Sequence, residues 1–276
     1  MDRIRLIASD MDATLLDEQS QLPADFEETI HALAELGIRF APASGRPLYT
    51  LEAMFPTLQD ELVFIGDNGG AIRWKGQNLF TSEMSPEGWR ALNRLTREQG
   101  DIAVLCGLES AYVERPFAVH DAVLRHFYTK IEYVDRLEDV TAPADKFTIY
   151  LPQHNAQQAY DTVYASQRSI YSVAVAGECW VDIMNPGVHK GAALQTLGQL
   201  WGLPSESMMA FGDTYNDAEM LQTVRYGFLM ENGSVPLRRN VPFLAPSNRE
   251  AGVMQVLHRV LAQNGCVCPE DFVPAH

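Results

Sequence analysis

The first quarter of the chain alternates short apolar runs with a stretch whose apolar residues recur at helical spacing. Residues 3–9 predict a buried strand, residues 23–36 a helix with one apolar face, and residues 38–43 a second strand. Pro47 suits the first turn of the next helix, and residues 62–65 predict a third strand. Strands that alternate with helices form a parallel sheet with right-handed crossovers. The sequence therefore predicts an α/β fold built on a parallel sheet.

The pattern changes near residue 82. Ser85 followed by Pro86 predicts the cap and first turn of a helix that ends at Gly100. Shorter elements follow, with strands predicted at residues 102–106, 111–114, 146–151, 169–175 and 179–183 and helices at 118–127 and 156–167. This stretch reads as an α+β insert of about 100 residues, which is a common domain size.

The alternation of strands and helices resumes after Asn185. The elements predicted there are helices at residues 190–201 and 250–263 and strands at residues 207–211 and 226–229. A ribbon is also predicted before the insert, at residues 71–74 and 78–80. One sheet is then built from both ends of the chain. The sequence thus divides into a core, residues 1–82 and 185–276, and an inserted domain, residues 83–184.

The chain is acidic, with 21 Lys and Arg against 36 Asp and Glu and a formal net charge of −15 at pH 7. Long-range repulsion opposes binding to nucleic acid and to anionic membranes. No apolar run approaches the roughly 18 residues of a membrane span, and residues 1–5 lead into a strand without a signal-peptide core. We therefore expect a cytoplasmic monomer or homodimer that binds neither nucleic acid nor membrane.

The four cysteines are too few for a disulfide scaffold in a chain of 276 residues. Cys106 and Cys179 lie inside apolar runs, which predicts buried thiols. Cys266 and Cys268 form a pair near the end, but no further ligands at zinc spacing lie nearby in the sequence. A cysteine metal site is therefore not expected.

Polar side chains follow the ends of three predicted strands. They are Asp10 and Asp12, then Ser44, Gly45 and Arg46, then Asp213, Asn216 and Asp217, and Lys190 opens the helix before the last of these strands. Parallel sheets bind ligands beyond the carboxyl ends of their strands, so these groups should converge on one edge. Each alone has an ordinary use as a cap, a turn or a solvated side chain. Together they match the needs of phosphoryl transfer around a hard divalent cation.

Residues 10–16, Asp-Met-Asp-Ala-Thr-Leu-Leu, resemble the Asp-x-Asp-Gly-Thr first motif of the haloacid dehalogenase-like (HAD) superfamily. Ser44-Gly45-Arg46, Lys190-Gly191 and Gly212-Asp213-x-x-Asn216-Asp217 are similar to its second, third and fourth motifs. The insert between the second and third motifs, after Asn68-Gly69-Gly70, resembles the Cof-type subfamily with a C2 cap. The resemblance spans the chain and implies a Rossmann-like core, a mobile cap and Mg²⁺-dependent hydrolysis of small phosphate monoesters, often sugar phosphates.

The resemblance also implies a role for each motif residue. Asp10 is expected to be the nucleophile and Asp12 the general acid and base. Mg²⁺ is expected to bind Asp10, Asp213 and the main-chain carbonyl of Asp12, with Asn216 and Asp217 orienting these ligands. The phosphoryl group is expected to bind Ser44, Gly45, Arg46 and Lys190. The chain departs from the family at Ala13, where glycine is usual. If that position needs a positive φ, the methyl group carries a cost.

The cap is expected to cover the site, exclude water and choose the leaving group. Trp180, Asp182, Tyr112 and Arg115 are polar or aromatic candidates within it, although core packing or a solvated surface is the ordinary use of such residues. The sequence does not name the metabolite.

Other functions share parts of this pattern. A phosphosugar mutase has the same core motifs but returns the phosphoryl group to a substrate hydroxyl. A phosphate-accepting signalling switch also uses an aspartate, a hydroxyl residue and a lysine, but it needs neither the acid Asp12 nor a large insert. A catalytically silent protein that binds phosphometabolites is favoured only by Ala13, and an ion-pumping relative is excluded by the lack of membrane spans.

Overall fold

The computed structural model describes residues 1–276. The first core segment contains β1 (Asp2–Arg3), β2 (Leu6–Asp10), α1 (Phe26–Glu35), β3 (Arg39–Ala43), α2 (Leu48–Ala53), β4 (Val63–Gly66), β5 (Ala71–Trp74) and β6 (Gln77–Thr81). The insert contains α3 (Pro86–Gln99), β7 (Ile102–Gly107), β8 (Ala111–Glu114), α4 (Asp121–Phe127), β9 (Ile131–Val134), β10 (Ala144–Tyr150), α5 (Ala156–Thr162), β11 (Ser172–Val175) and β12 (Trp180–Met184). The second core segment contains α6 (Lys190–Trp201), β13 (Met208–Gly212), α7 (Ala218–Thr223), β14 (Tyr226–Met230), β15 (Phe243–Ala245), α8 (Gly252–Ala262), β16 (Cys266–Val267) and β17 (Val273–Pro274).

The core is a nine-stranded sheet with the strand order β17-β15-β14-β13-β2-β3-β4-β5-β6. The strands from β15 to β4 are parallel to one another, whereas β5, β6 and β17 join in antiparallel pairs. The two ends of the chain meet at the centre, where Met208 of β13 lies opposite Leu6 of β2. The predicted α/β fold is confirmed, with antiparallel strands at both edges of the sheet.

The central strand β2 is apolar on both faces because helices cover both faces of the sheet. Ile7 packs with Phe40 in the larger apolar cluster, to which α1, α2 and α8 contribute. Leu6 and Ala8 point the other way, into a cluster to which α6 and α7 contribute. Burial on both sides fixes the position at which β2 ends.

The insert forms its own six-stranded sheet with the order β11-β12-β10-β7-β8-β9. One face packs on α3 and α5 through an apolar cluster that includes Phe147 and Ile183. Residues of the opposite face, such as Cys106 and Trp180, pack with Leu124 of α4. Part of this second face is polar, because it also carries Lys146 and Thr148 of β10.

Several predicted boundaries are confirmed and others shift. The Ser85 Oγ accepts a hydrogen bond from the Gly88 N–H at 3.1 Å, and Gly100 ends α3 with φ of +75°. The helix predicted at 156–167 is α-helical only to Thr162 and continues as a 3-10 helix. The short strands β9 and β15 were not predicted, because strands of three or four residues carry little alternation.

All four cysteines are free thiols. Cys106 is buried as predicted, but Cys179 is partly exposed, because it lies in the turn before β12. No helix combines the length and the apolar character needed to cross a bilayer. The strands of the six-stranded sheet all fall within residues 102–184. The domain limits at residues 82 and 185 and the cytoplasmic location stay predictions.

Candidate active site at the carboxyl edge of the core sheet

Three adjacent parallel strands end at the same place in the core sheet. The strand β2 ends with Asp10, β3 ends just before Ser44, and β13 ends just before Asp213. Asp10 lies opposite Ala43 in the register of β2 and β3. The side chains that follow these strands therefore emerge at the middle of the carboxyl edge of the sheet.

A cluster of buried charges lies at this edge. Single carboxylate oxygens of Asp10, Asp213 and Asp217 lie within 4.8 Å of one another. Lys190, which is 0% exposed, contacts Asp10 Oδ1 and donates a hydrogen bond to Asp217 Oδ1 at 2.7 Å. Thr14 donates to Asp213 Oδ1 at 3.4 Å. The structure thus brings together four of the predicted site residues.

Asp217 fixes both the lysine and the loop that carries Asp213. Its Oδ2 accepts hydrogen bonds from the backbone N–H groups of Asp213 at 3.0 Å and Thr214 at 3.3 Å, while its Oδ1 accepts from Lys190. A Cβ atom on Gly212 would lie 2.4 Å from that of Asp217, so glycine permits this close approach. The Gly-Asp-x-x-Asn-Asp sequence therefore folds as one hydrogen-bonded unit.

When all three carboxyl groups of this cluster are ionised, they leave two negative charges that the Lys190 ammonium does not compensate. Burial and the charge of Asp217 raise the pKa of Asp10 to about 8, although Lys190 opposes the shift. Burial, and then the charge of Asp217, raises the pKa of Asp213 to about 6. Burial opposes the charge on Lys190, but Asp10 and Asp217 outweigh it and raise the pKa of the ammonium. Carboxylate oxygens of Asp10 and Asp213, with the charge of Asp217 beside them, fit a hard divalent cation that displaces the bound protons.

The loop after β3 lies beside this cluster. Ser44, 3% exposed, accepts a hydrogen bond from the Arg46 N–H at 3.1 Å through its Oγ. Gly45 lies under the amide of Asn68, which a Cβ atom on Gly45 would approach to 3.2 Å. The loop is therefore tight around Ser44.

Asp12 stands apart from the buried carboxylates. Its side chain is 58% exposed, and both of its oxygens accept hydrogen bonds from Arg46 Nη2, at 2.8 and 3.1 Å. Asp12 and Arg46 thus form an ion pair at the mouth of the site.

Two other residues near the motifs have local structural partners. Asn216 is exposed, and its amide oxygen accepts a hydrogen bond from the Thr214 hydroxyl at 2.6 Å. The His189 Nδ1 accepts from the Ala192 N–H at 3.1 Å and caps α6. The expected role of Asn216 in orienting metal ligands stays a prediction.

Ala13 adopts the left-handed conformation, with φ of +59°. Its methyl group gains no packing because the residue is exposed. The Asn232 Nδ2 donates to the Ala13 carbonyl at 2.8 Å, and Asn232 Oδ1 accepts from the Asn248 N–H at 3.0 Å. Ala13 therefore has the positive φ at which its methyl group carries a cost. The side chain of Asn232, from the second core segment, holds the loop in place.

A cavity of about 430 Å³ lies between the carboxyl edge of the core and the polar face of the insert sheet. Asp12, Ser44 and Arg46 line its core side. The insert side includes Trp180 and Asp182, two of the four candidates, whereas Tyr112 and Arg115 lie at a separate surface depression. Sequence reasoning missed further residues of this cavity, among them Asn68, Tyr128, Lys146 and Thr148. Lys146 and Thr148 could have been found in the sequence, because polar residues recur at every second position of β10.

Comparison with known proteins supports the family resemblance. The family model described as haloacid dehalogenase-like hydrolase matches residues 7–257. The chain belongs to the haloacid dehalogenase-like hydrolases. The predicted family and hydrolase class are thus confirmed.

Two curated relatives cover nearly all of this HAD hydrolase. It is 32% identical over 262 residues to 5-amino-6-(5-phospho-D-ribitylamino)uracil phosphatase YbjI of Escherichia coli (strain K12), covering 94% of this chain and 96% of that protein. It is 31% identical over 249 residues to an HMP-PP phosphatase of Cronobacter sakazakii, covering 87% of this chain and 89% of that protein. Among solved structures, SMU.1108c from Streptococcus mutans UA159 superposes with a TM-score of 0.83 at 29% identity, covering 94% of this chain and 99% of the other.

The strain at Ala13 is testable. Replacing Ala13→Gly removes the Cβ penalty of a left-handed residue, so the variant should gain about 1 kcal/mol of unfolding free energy and about 2–4 °C in Tm. The matched control is Ala91→Gly in the exposed middle of α3, which should lose about 1 kcal/mol. Equal losses in both variants, measured by thermal and urea denaturation, would contradict the strain.

Proposed function

We propose that this HAD hydrolase is a Mg²⁺-dependent phosphatase that cleaves small phosphate monoesters through a phosphoryl intermediate on Asp10. The observation that carries the proposal is the contact of buried Asp10 with Lys190, beside Asp213 and Asp217, at one edge of the sheet. A carboxylate can form an acyl phosphate that water then opens, which divides one difficult step into two. The family and the relatives named as phosphatases support hydrolysis of phosphate monoesters.

In the first step an Asp10 oxygen attacks phosphorus, and the bond from phosphorus to the leaving oxygen breaks. Lys190 contacts Oδ1 of Asp10, so the second oxygen is left for the attack. Ser44 and the N–H groups that follow it bind the phosphoryl oxygens, and Lys190 compensates their charge. The buried position of Lys190 makes this compensation stronger than it would be in water.

Asp12 gives a proton to the leaving oxygen and later takes one from the water that cleaves the acyl phosphate. To do so it has to separate from Arg46, to which both of its oxygens are bonded. An anionic phosphoryl group competes with Asp12 for the guanidinium, because Arg pairs readily with phosphate. Substrate binding therefore frees the acid at the moment when it is needed.

Asp10, Asp213 and the carbonyl of Asp12 would hold Mg²⁺, with Asp217 fixing their positions. When bound, the cation offsets the excess negative charge of the cluster and polarises the phosphoryl oxygens. Without a cation the same charge would oppose an anionic substrate, which is the physical reason to expect metal dependence.

The substrate is proposed to be a small phosphorylated metabolite. The first ester to test is 5-amino-6-(5-phospho-D-ribitylamino)uracil, which appears in the name of the relative that is 32% identical. Sugar phosphates belong in the same panel. Release of inorganic phosphate separates a phosphatase from the mutase and from the silent binder.

The nucleophile is tested with Asp10→Asn, which keeps the shape of the side chain but removes the attacking charge. Phosphate release from para-nitrophenyl phosphate should fall at least about 10³-fold. The control is Asp60→Asn, an exposed carboxylate before β4 at the opposite edge of the sheet, which should keep wild-type turnover. Wild-type turnover by the Asp10→Asn protein would refute the assignment.

The pKa values predict how Mg²⁺ binding depends on pH. Without metal the pKa of Asp10 is about 8 and that of Asp213 about 6, so a cation has to displace protons at low pH. Mg²⁺ should bind at least about tenfold more tightly at pH 8 than at pH 6. Calorimetric titration without substrate measures this, and Asp213→Asn should abolish the binding. The same affinity at both pH values would contradict the metal assignment.

A further inference from the structure

The insert sheet turns a row of polar side chains toward the core. Lys146 and Thr148 alternate along β10, and Asp182 lies opposite Thr148 on β12. The three residues are 2%, 1% and 4% exposed. Polar groups buried to this extent cost free energy unless they find hydrogen-bond partners. The row is therefore unexpected in a sheet face that serves packing alone.

Two of the three side chains are held by neighbours. Lys146 Nζ donates to the Gly45 carbonyl at 2.6 Å and lies 2.9 Å from Asp67 Oδ1. The Thr148 hydroxyl donates to Asp182 Oδ1 at 2.7 Å and so fixes the orientation of that carboxylate. The lysine joins the insert to the core, and the threonine positions the acid.

Of two acceptor oxygens on the cavity wall, one has only long contacts and the other has no partner. Asp182 Oδ2 lies 3.4 Å from Asn68 Nδ2 and 3.8 Å from Lys146 Nζ. Asn68, 9% exposed, also lines the cavity, and its Oδ1 is buried without any hydrogen-bond partner. Buried acceptors without partners are rare in folded proteins and call for a ligand or water. A ligand group that fits here has to present N–H or O–H donors.

The other wall of the cavity is aromatic. Phe127, Tyr128 and Trp180 line it, with ring centroids of Phe127 and Trp180 5.1 Å apart and those of Tyr128 and Trp180 6.2 Å apart. Aromatic side chains favour flat, apolar surfaces on a partner. The cavity thus combines an aromatic wall with two acceptors, which suits a planar ring with donors on its edge.

We propose that the leaving alcohol of the substrate carries a planar nitrogen-containing ring, which lies against the aromatic wall and donates to Asp182 and Asn68. This assignment rests on the proposed phosphatase function and gives it a substrate class. Arg46 and Ser44 line the same cavity of about 430 Å³, so the ring and the phosphoryl group occupy one continuous space. That volume is within the usual range for small-molecule sites.

The experiment compares two esters with the same phosphorylated chain. One is 5-amino-6-(5-phospho-D-ribitylamino)uracil and the other is ribitol 5-phosphate, which lacks the ring. Sites built to hydrogen-bond a substrate reject analogues that lack the donors, so kcat/KM should differ by at least about 100-fold. A ratio near one, or a preference for glucose 6-phosphate over the ring-bearing ester, would overturn the assignment.

The role of Asp182 is tested with Asp182→Asn, which replaces one acceptor oxygen of the carboxylate by an NH₂ donor with little change of shape. It should lower kcat/KM at least tenfold more for the ring-bearing ester than for para-nitrophenyl phosphate, whose leaving group has no ring N–H donor. Asp161→Asn, exposed on α5 at the opposite face of the sheet, is the matched control and should change neither. Equal losses on both esters would refute the role of Asp182.

Para-nitrophenyl phosphate also separates the two proposals. If wild-type protein fails to hydrolyse it and every other ester, the phosphatase function fails and the ring assignment with it. If it is hydrolysed but the ring brings no advantage, only the ring assignment fails.

Discussion

The ammonium of Lys190 is the interaction on which the site depends. It is fully buried and joins Asp10, at the end of β2 in the first core segment, to Asp217, in the second. Removing it would leave three carboxylates crowded together without a compensating charge. Breaking a buried pair by removing one partner typically costs about 3–5 kcal/mol. The same ion pair therefore holds the two segments of the core together and compensates part of the negative charge of the acidic cluster.

Backbone geometry places the groups that surround this ion pair. The register of β2 with β3 and β13 brings three strand ends together, and burial of both sheet faces prevents them from shifting. Gly212 lets Asp217 approach the end of β13, while Asn232 holds the carbonyl of Ala13 in a strained turn. Left-handed residues other than glycine persist only where the surroundings determine them, as they do here.

The sequence was sufficient for the core because its signals are local. A buried strand followed by polar residues can be recognised from a few neighbouring positions, and three such strands in parallel predict a common edge. Residues of the cavity were harder to find. Asn68 and Asp182 are separated by more than a hundred positions and meet only because two sheets face each other. The unpartnered oxygen of Asn68 has no counterpart in the sequence pattern. The pairing of Asp12 with Arg46 was not expected either.

The contact of Lys146 with the Gly45 carbonyl links the insert to the loop that is proposed to bind phosphate. Gly45 follows Ser44, so a movement of the insert sheet that displaces Lys146 also removes a hydrogen bond from this loop. Lys146 lies two positions from Thr148 on β10, and Thr148 in turn orients Asp182. Strand β10 therefore contacts both the loop that carries Ser44 and, through Thr148, the carboxylate that is proposed to bind the leaving alcohol. A substitution in β10 that moves Lys146 would then be expected to disturb both contacts.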